Sequence, residues 1–122
     1  MRQGTPDLWI RARERKGRER EALRLKVLGR LDQALSALVE KYQWTECYLF
    51  GSVVSPGRFG PESDVDIAVG GLAKQDFYRF VGDISSVLER DVDVVVLEES
   101  RIAETIRRRG KPWSQRKPSL YS

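Results

Sequence analysis

Histidine is absent from the 122 residues, and cysteine and methionine occur once each. Without histidine there can be no Ser/His/Asp or Cys/His triad, no imidazole general base and few zinc sites. A single cysteine excludes any disulfide within the chain, and Cys47, at the start of an apolar run, reads as a core thiol rather than a nucleophile. No apolar run approaches the roughly 18 residues of a membrane-spanning helix. The opening MRQGTPDLWIRARERKGRER lacks the apolar segment of a secretory signal. A cytoplasmic protein with no membrane attachment is therefore expected. Its chemistry, if any, must run on carboxylates, hydroxyls, Lys/Arg and a hard metal ion.

The formal net charge of +4 conceals a segregation of sign. Residues 1–30 carry ten Lys/Arg against four Asp/Glu, residues 31–100 five against thirteen, and residues 101–122 seven against one. An acidic centre that attracts cations lies between two basic ends that attract anions. The Arg11–Arg30 run reads first as a solvated helix face, with RNA or an acidic partner as the other use of such a surface.

Apolar residues recur at Leu23, Val27, Leu31, Leu35, Leu38, Val39 and Tyr42, which marks one face of a helix from about Glu19 to Tyr42, with a charged continuation ahead of it. CYLF (47–50), DVDIAV (64–69) and DVDVVVL (91–97) read as short strands. The stretch from Val53 to Ser63, with two Pro and two Gly, is a turn-rich loop. Phe77, Phe80, Val81, Ile84, Val87 and Leu88 predict a second amphipathic helix. Ile102 and Ile106 predict a short third one ending near Gly110. The expected fold class is α+β, a small mixed sheet of three or more strands with helices packed mainly on one face. One domain over 1–122 is expected, with a basic extension over 1–18 and an irregular tail over 112–122.

The informative stretch is FGSVVSPGRFGPESDVDIAV, residues 50–69. Strand side chains alternate faces, so Asp64 and Asp66 project together while Val65, Ile67 and Val69 enter the core. If the second and third strands are neighbours, one of Asp91 and Asp93 joins them. Asp93 is preferred, because Asp91 follows Glu89-Arg90 at the strand's start and suits a cap. Carboxylates about 4 Å apart repel by roughly 4 kcal/mol at an effective dielectric near 20, a cost that protons or a cation must offset. An all-oxygen ligand set points to Mg²⁺, with Mn²⁺ as a substitute. Gly51 permits close backbone approach, and Ser52 can offer its hydroxyl and N–H to phosphate oxygens.

With Gly-Ser, an eleven-residue spacer, Asp-x-Asp and a later V-D-V-V, the chain resembles the DNA polymerase β-type nucleotidyltransferases. More narrowly, it is similar to the minimal nucleotidyltransferases (MNT proteins) of prokaryotes. The likeness covers about residues 45–111, from LFGS through ESDVDIAV and DVDVVVLEE to I-x-x-x-G-K at Ile106–Lys111. It implies that Gly51 and Ser52 hold the triphosphate of ATP or another nucleotide, and that Asp64 and Asp66 bind two Mg²⁺ ions. Asp93 would complete the metal site and help activate the attacking hydroxyl. Minimal proteins often carry an Arg soon after Gly-Ser. Here Val53, Val54 and Ser55 stand in its place, leaving Arg58 as the loop's only base and the candidate for the triphosphate. The resemblance further implies an antitoxin that transfers AMP to a tyrosine of an all-helical HEPN-type partner. Rival readings are a module that neutralises its partner by occlusion alone, and a nucleic-acid-associated protein using its basic ends. A homo-oligomer is compatible with all three.

Overall fold

A computed structural model describes residues 4–115. Helix α1 spans Gly4–Leu38 and strand β1 Glu46–Phe50, followed at once by a 3-10 turn at Gly51–Val54. Strand β2 is Val65–Gly70, helix α2 Phe77–Leu88, strand β3 Val92–Val96, helix α3 Ala103–Arg109 and strand β4 Lys111–Pro112. The sheet order is β3-β2-β1-β4. β1 runs antiparallel to both β2 and β4, whereas β2 and β3 are parallel. That parallel pair needs a crossover, which α2 supplies.

The apolar stripe of α1 does what its spacing predicts. Val27, Leu31, Ala34, Leu35 and Leu38 are buried against one sheet face, as are Phe80, Ile84 and Leu88 of α2. The same face receives Cys47, Leu49, Val65, Ile67 and Val69. Tyr42, beyond the end of α1, is also buried, and its hydroxyl donates to Asp83 Oδ2 at 2.6 Å. Short α3 covers part of the other face, where Ala103 and Ile106 meet Ala68, Leu97, Tyr48, Phe50 and Val95. The mixed α+β sheet with helices mainly on one side is thus as expected from the sequence.

Two elements are longer or more ordered than expected. The charged continuation of the first helix reaches back to Gly4, which makes α1 35 residues long, about 52 Å at 1.5 Å per residue. Leu8, Trp9 and Ile10 on this first part are more than half exposed. The predicted irregular tail instead begins with ordered chain: Lys111 and Pro112 pair with Leu49 and Tyr48, and Trp113 donates its backbone N–H to the Cys47 carbonyl at 2.8 Å. The Trp113 indole N–H reaches Asp32 Oδ1 at 2.8 Å, and its ring lies against Trp44. The rest of that tail, 116–122, and the first three residues of the extension lie outside the described residues. Among the described residues no helix is long and apolar enough to cross a membrane.

Candidate active site

Strand register assembles the site. Asp66 faces Phe50 on one side and Asp93 on the other. The C-terminal end of β1 and the N-terminal ends of β2 and β3 therefore meet at one end of the sheet. The inward partners of this register, Val65, Ile67, Val92 and Val94, pack on the α1–α2 side. Alternation consequently sends Asp64, Asp66 and Asp93 to the opposite face. Asp66 is half-buried, while Asp64 and Asp93 are exposed. Burial first, then the charges of Asp93 and Asp64, push the Asp66 carboxyl above its ordinary value. Asp91 plays another part: its carbonyl accepts the Val65 N–H at 3.1 Å and ties the two strands together at their start. The register sets Asp93, not Asp91, directly beside Asp66.

The Gly-Ser corner lies against the same carboxylate. Gly51 has φ +78°, in the left-handed region, and a Cβ there would collide with Asp66 Oδ2. Only glycine allows the chain to turn out of β1 this close to Asp66. Ser55 closes the corner, donating its hydroxyl to the Gly51 carbonyl at 2.9 Å and its N–H to the Ser52 carbonyl at 3.0 Å. Ser52 is half-buried, and its hydroxyl makes no side-chain hydrogen bond among the described residues. Arg58 is exposed in the loop, with no side-chain hydrogen bond or ion pair among the described residues. The structure thus brings Gly51, Asp66 and Asp93 together and sets Ser52 and Asp64 beside them, while Arg58 sits in the loop with its N–H on the Ser55 carbonyl at 3.1 Å.

The donor set suits a hard cation, being all carboxylate, desolvated at Asp66 and mutually repulsive. As they stand, no three acidic, thiol or imidazole side chains among the described residues converge to the spacing of a closed metal site. The carboxylates share an end of the sheet without being drawn onto a common point. Beside Asp64 opens a polar cleft of about 430 Å³, lined by Pro61, Glu62, Ser63, Glu89, Arg90 and Asp91. A more apolar cavity of about 250 Å³, between Leu72, Phe77, Tyr78 and Val96, lies at the other end of the strands and contains none of these aspartates.

Sequence reasoning missed the groups that hold the loop between Ser52 and Asp64. Arg90 donates to the Ser63 carbonyl at 2.6 Å and lies over the buried Phe59 ring, 4.8 Å from its centroid. Glu21 and Arg24 reach the loop from α1. No local pattern distinguishes these arginines and this glutamate from their many charged neighbours.

The model of the family described as polymerase beta nucleotidyltransferase matches residues 33–118. The chain belongs to that family. The polymerase beta nucleotidyltransferase core accounts for the sheet and for both aspartate-bearing strands, while most of α1 precedes the matched residues. A solved toxin–antitoxin structure with AMP-PNP is similar at 27% identity and a TM-score of 0.56, over 68% of this chain and 73% of that one. The toxin–antitoxin MntA-HepT structure shares the fold at 24% identity and a TM-score of 0.51, over 69% and 70% of the two chains. No curated protein matches. Membership agrees with the Gly-Ser, Asp-x-Asp and later-Asp pattern read from the sequence.

Proposed function

We propose that this nucleotidyltransferase moves AMP from ATP onto a hydroxyl of a partner protein, as the antitoxin of a HEPN/MNT pair. The observation that carries the reading is the contact between its two halves. The Gly51 corner lies against the Asp66 carboxylate, and Asp66 is in register with Asp93. A nucleoside triphosphate with magnesium needs an anion-receiving corner and a cation-holding cluster side by side. The toxin–antitoxin structure similar to this chain contains AMP-PNP, an ATP analogue, which supports ATP as the nucleotide and a toxin as the acceptor.

In this reading Asp64, Asp66 and Asp93 hold two Mg²⁺ ions, with Mn²⁺ able to replace them. The ions supply charge neutralisation for the phosphates and the leaving pyrophosphate. The chain's own groups do the rest. Gly51 lets the backbone come close to the triphosphate, and Ser52 presents its hydroxyl and N–H to phosphate oxygens. Asp93 accepts the proton of the attacking hydroxyl as it approaches the α-phosphorus in line. The new bond joins the acceptor oxygen to phosphorus, the bond to the bridging oxygen breaks, and pyrophosphate leaves. No covalent enzyme intermediate is required, so catalysis is positioning and electrostatics. Arg58, exposed in the loop that follows, supplies a guanidinium for the triphosphate.

The loop after Gly-Ser, where Val53, Val54 and Ser55 stand in place of an Arg, favours a second reading, in which the chain neutralises its partner by occlusion alone. Incubation with α-phosphate-labelled ATP and Mg²⁺, together with proteins that co-purify with the chain, separates the two. Label on a partner with wild type but not with Asp64→Asn/Asp66→Asn is the expected result. A stable complex with no label from any of the four nucleotides would leave occlusion. Mg²⁺-independent, steeply salt-dependent RNA binding without either would favour the nucleic-acid reading.

A further inference from the structure

We infer that Glu21 and Arg24 of α1 are positioning residues for the nucleotide corner, an inference that rests on the nucleotidyltransferase reading of the site. The loop from Val53 to Ser63 connects Ser52 to Asp64, so its shape fixes how the phosphate-receiving corner stands relative to the carboxylates. Left to itself, an eleven-residue loop with Pro56, Gly57, Gly60 and Pro61 would sample many arrangements. Two side chains from α1 restrict it. Glu21 Oε1 accepts the Gly57 N–H at 2.8 Å. The same carboxylate takes two bonds from Arg24, Nε to Oε1 at 2.9 Å and Nη2 to Oε2 at 2.6 Å. Arg24 then uses Nη1 to donate to the Val53 carbonyl at 3.1 Å. Val53 is the residue directly after Ser52 and is fully buried. The ion pair thus grips the loop one residue from the corner and again at Gly57.

The arrangement needs a guanidinium. Its planar fork pairs twice with the carboxylate while a third N–H points elsewhere, which a lysine ammonium cannot reproduce at the same three positions. The Arg24 side chain is only 11% exposed, so the pair is sheltered on the Arg side. The Arg24 bonds and the Gly57 N–H hold the Glu21 carboxyl down at about 2, so the clamp stays charged at any physiological pH. Arg20 lies against Gly60 and Arg90 holds Ser63, which extends the restraint along the loop. Both clamp residues precede residue 33, where the family match begins. The catalytic corner is therefore braced by a part of the chain outside the family core.

Displacing a substrate-holding group by an ångström can cost about 100-fold in rate. The test compares wild type, Glu21→Gln, Arg24→Lys and Arg24→Met by Mg²⁺-ATP titration calorimetry, by transfer kinetics and by hydrogen exchange at the Gly57 amide. Glu21→Gln and Arg24→Met should raise Kd and KM for ATP about 10- to 100-fold, with kcat at saturating ATP changed about threefold or less. Exchange at Gly57 should accelerate in both, and Arg24→Lys should fall between them and wild type. A merely structural role would reduce the folded fraction, and with it kcat, at unchanged KM; that outcome overturns the inference. So does unaltered ATP affinity in variants whose Gly57 amide has been released. Should wild type itself bind no nucleotide, the functional reading fails and takes the clamp with it. Equal binding by wild type and variants removes the clamp alone. Glu21→Gln is nearly isosteric and keeps the test available if Arg24→Met does not fold.

Discussion

Asp66→Asn should make the protein more stable and inactive at once. Adjacent strands lie about 4.8 Å apart, and Asp66 stands directly beside Asp93. At about 5 Å and an effective dielectric near 20, two carboxylates repel by about 3 kcal/mol. Asp93 is exposed and Asp66 only half-buried, so solvent screening reduces this to about 1 kcal/mol. For a domain of this size that corresponds to a rise in Tm of about 3–5 °C. Thermal melts at pH 7 in EDTA would measure it. The pH dependence has a definite sign. Burial, Asp93 and Asp64 raise the folded-state carboxyl of Asp66, so folding favours its protonated form. That contribution is complete below the ordinary carboxylate value and is lost as pH rises through the raised one. The two melting curves should therefore converge in acid and separate toward neutrality. Adding Mg²⁺ should stabilise wild type by mass action and Asp66→Asn less. An Asn variant that melts below wild type in EDTA at pH 7, or that still transfers label, would refute the reasoning.

Gly51→Ala should lose most activity and about 1–3 kcal/mol of stability, because it combines a left-handed φ with a collision at Asp66 Oδ2; denaturant melts and the labelling assay measure the two effects. Cys47 is buried and burial pushes its thiol up to about 12, so iodoacetamide at pH 8 should modify it only at the rate of unfolding, and rapid native-state labelling would contradict the packing. Phe80→Ala should cost about 3–5 kcal/mol, since Phe80 is fully buried with the rings of Tyr42 and Trp44 edge-on against it; an equilibrium urea midpoint near that of wild type would count against this core.

Long-period features were legible in the sequence because each residue's role is repeated by its neighbours. The stripe from Val27 to Leu38 and the Phe80–Ile84–Leu88 face are each written several times over, and a single exception such as exposed Val87 does not obscure them. The aspartates were legible for the same reason: alternation in DVDIAV and DVDVVVL fixes the face of Asp64, Asp66 and Asp93 without any knowledge of the neighbouring strand. Strand β4 was not, since two residues, one of them proline, carry no period. The Glu21–Arg24 clamp was invisible for a different reason. Its meaning depends on Gly57, 36 positions away from Glu21, and nothing local separates a bonded glutamate from a solvated one.

Strand β3 has a consequence for solubility. It is the outermost strand on its side of the sheet, and its sequence is VDVVV. A flat, β-branched edge with unpaired backbone groups invites another chain to add to it, and a charge in the middle is a common guard against that. Asp93 supplies such a charge at the second of five positions. Replacing it by an apolar residue would thus do more than remove a carboxylate from the proposed site: it would leave an unbroken run of apolar residues along an edge strand. The group proposed to receive a proton in catalysis is also the one charge on this edge strand.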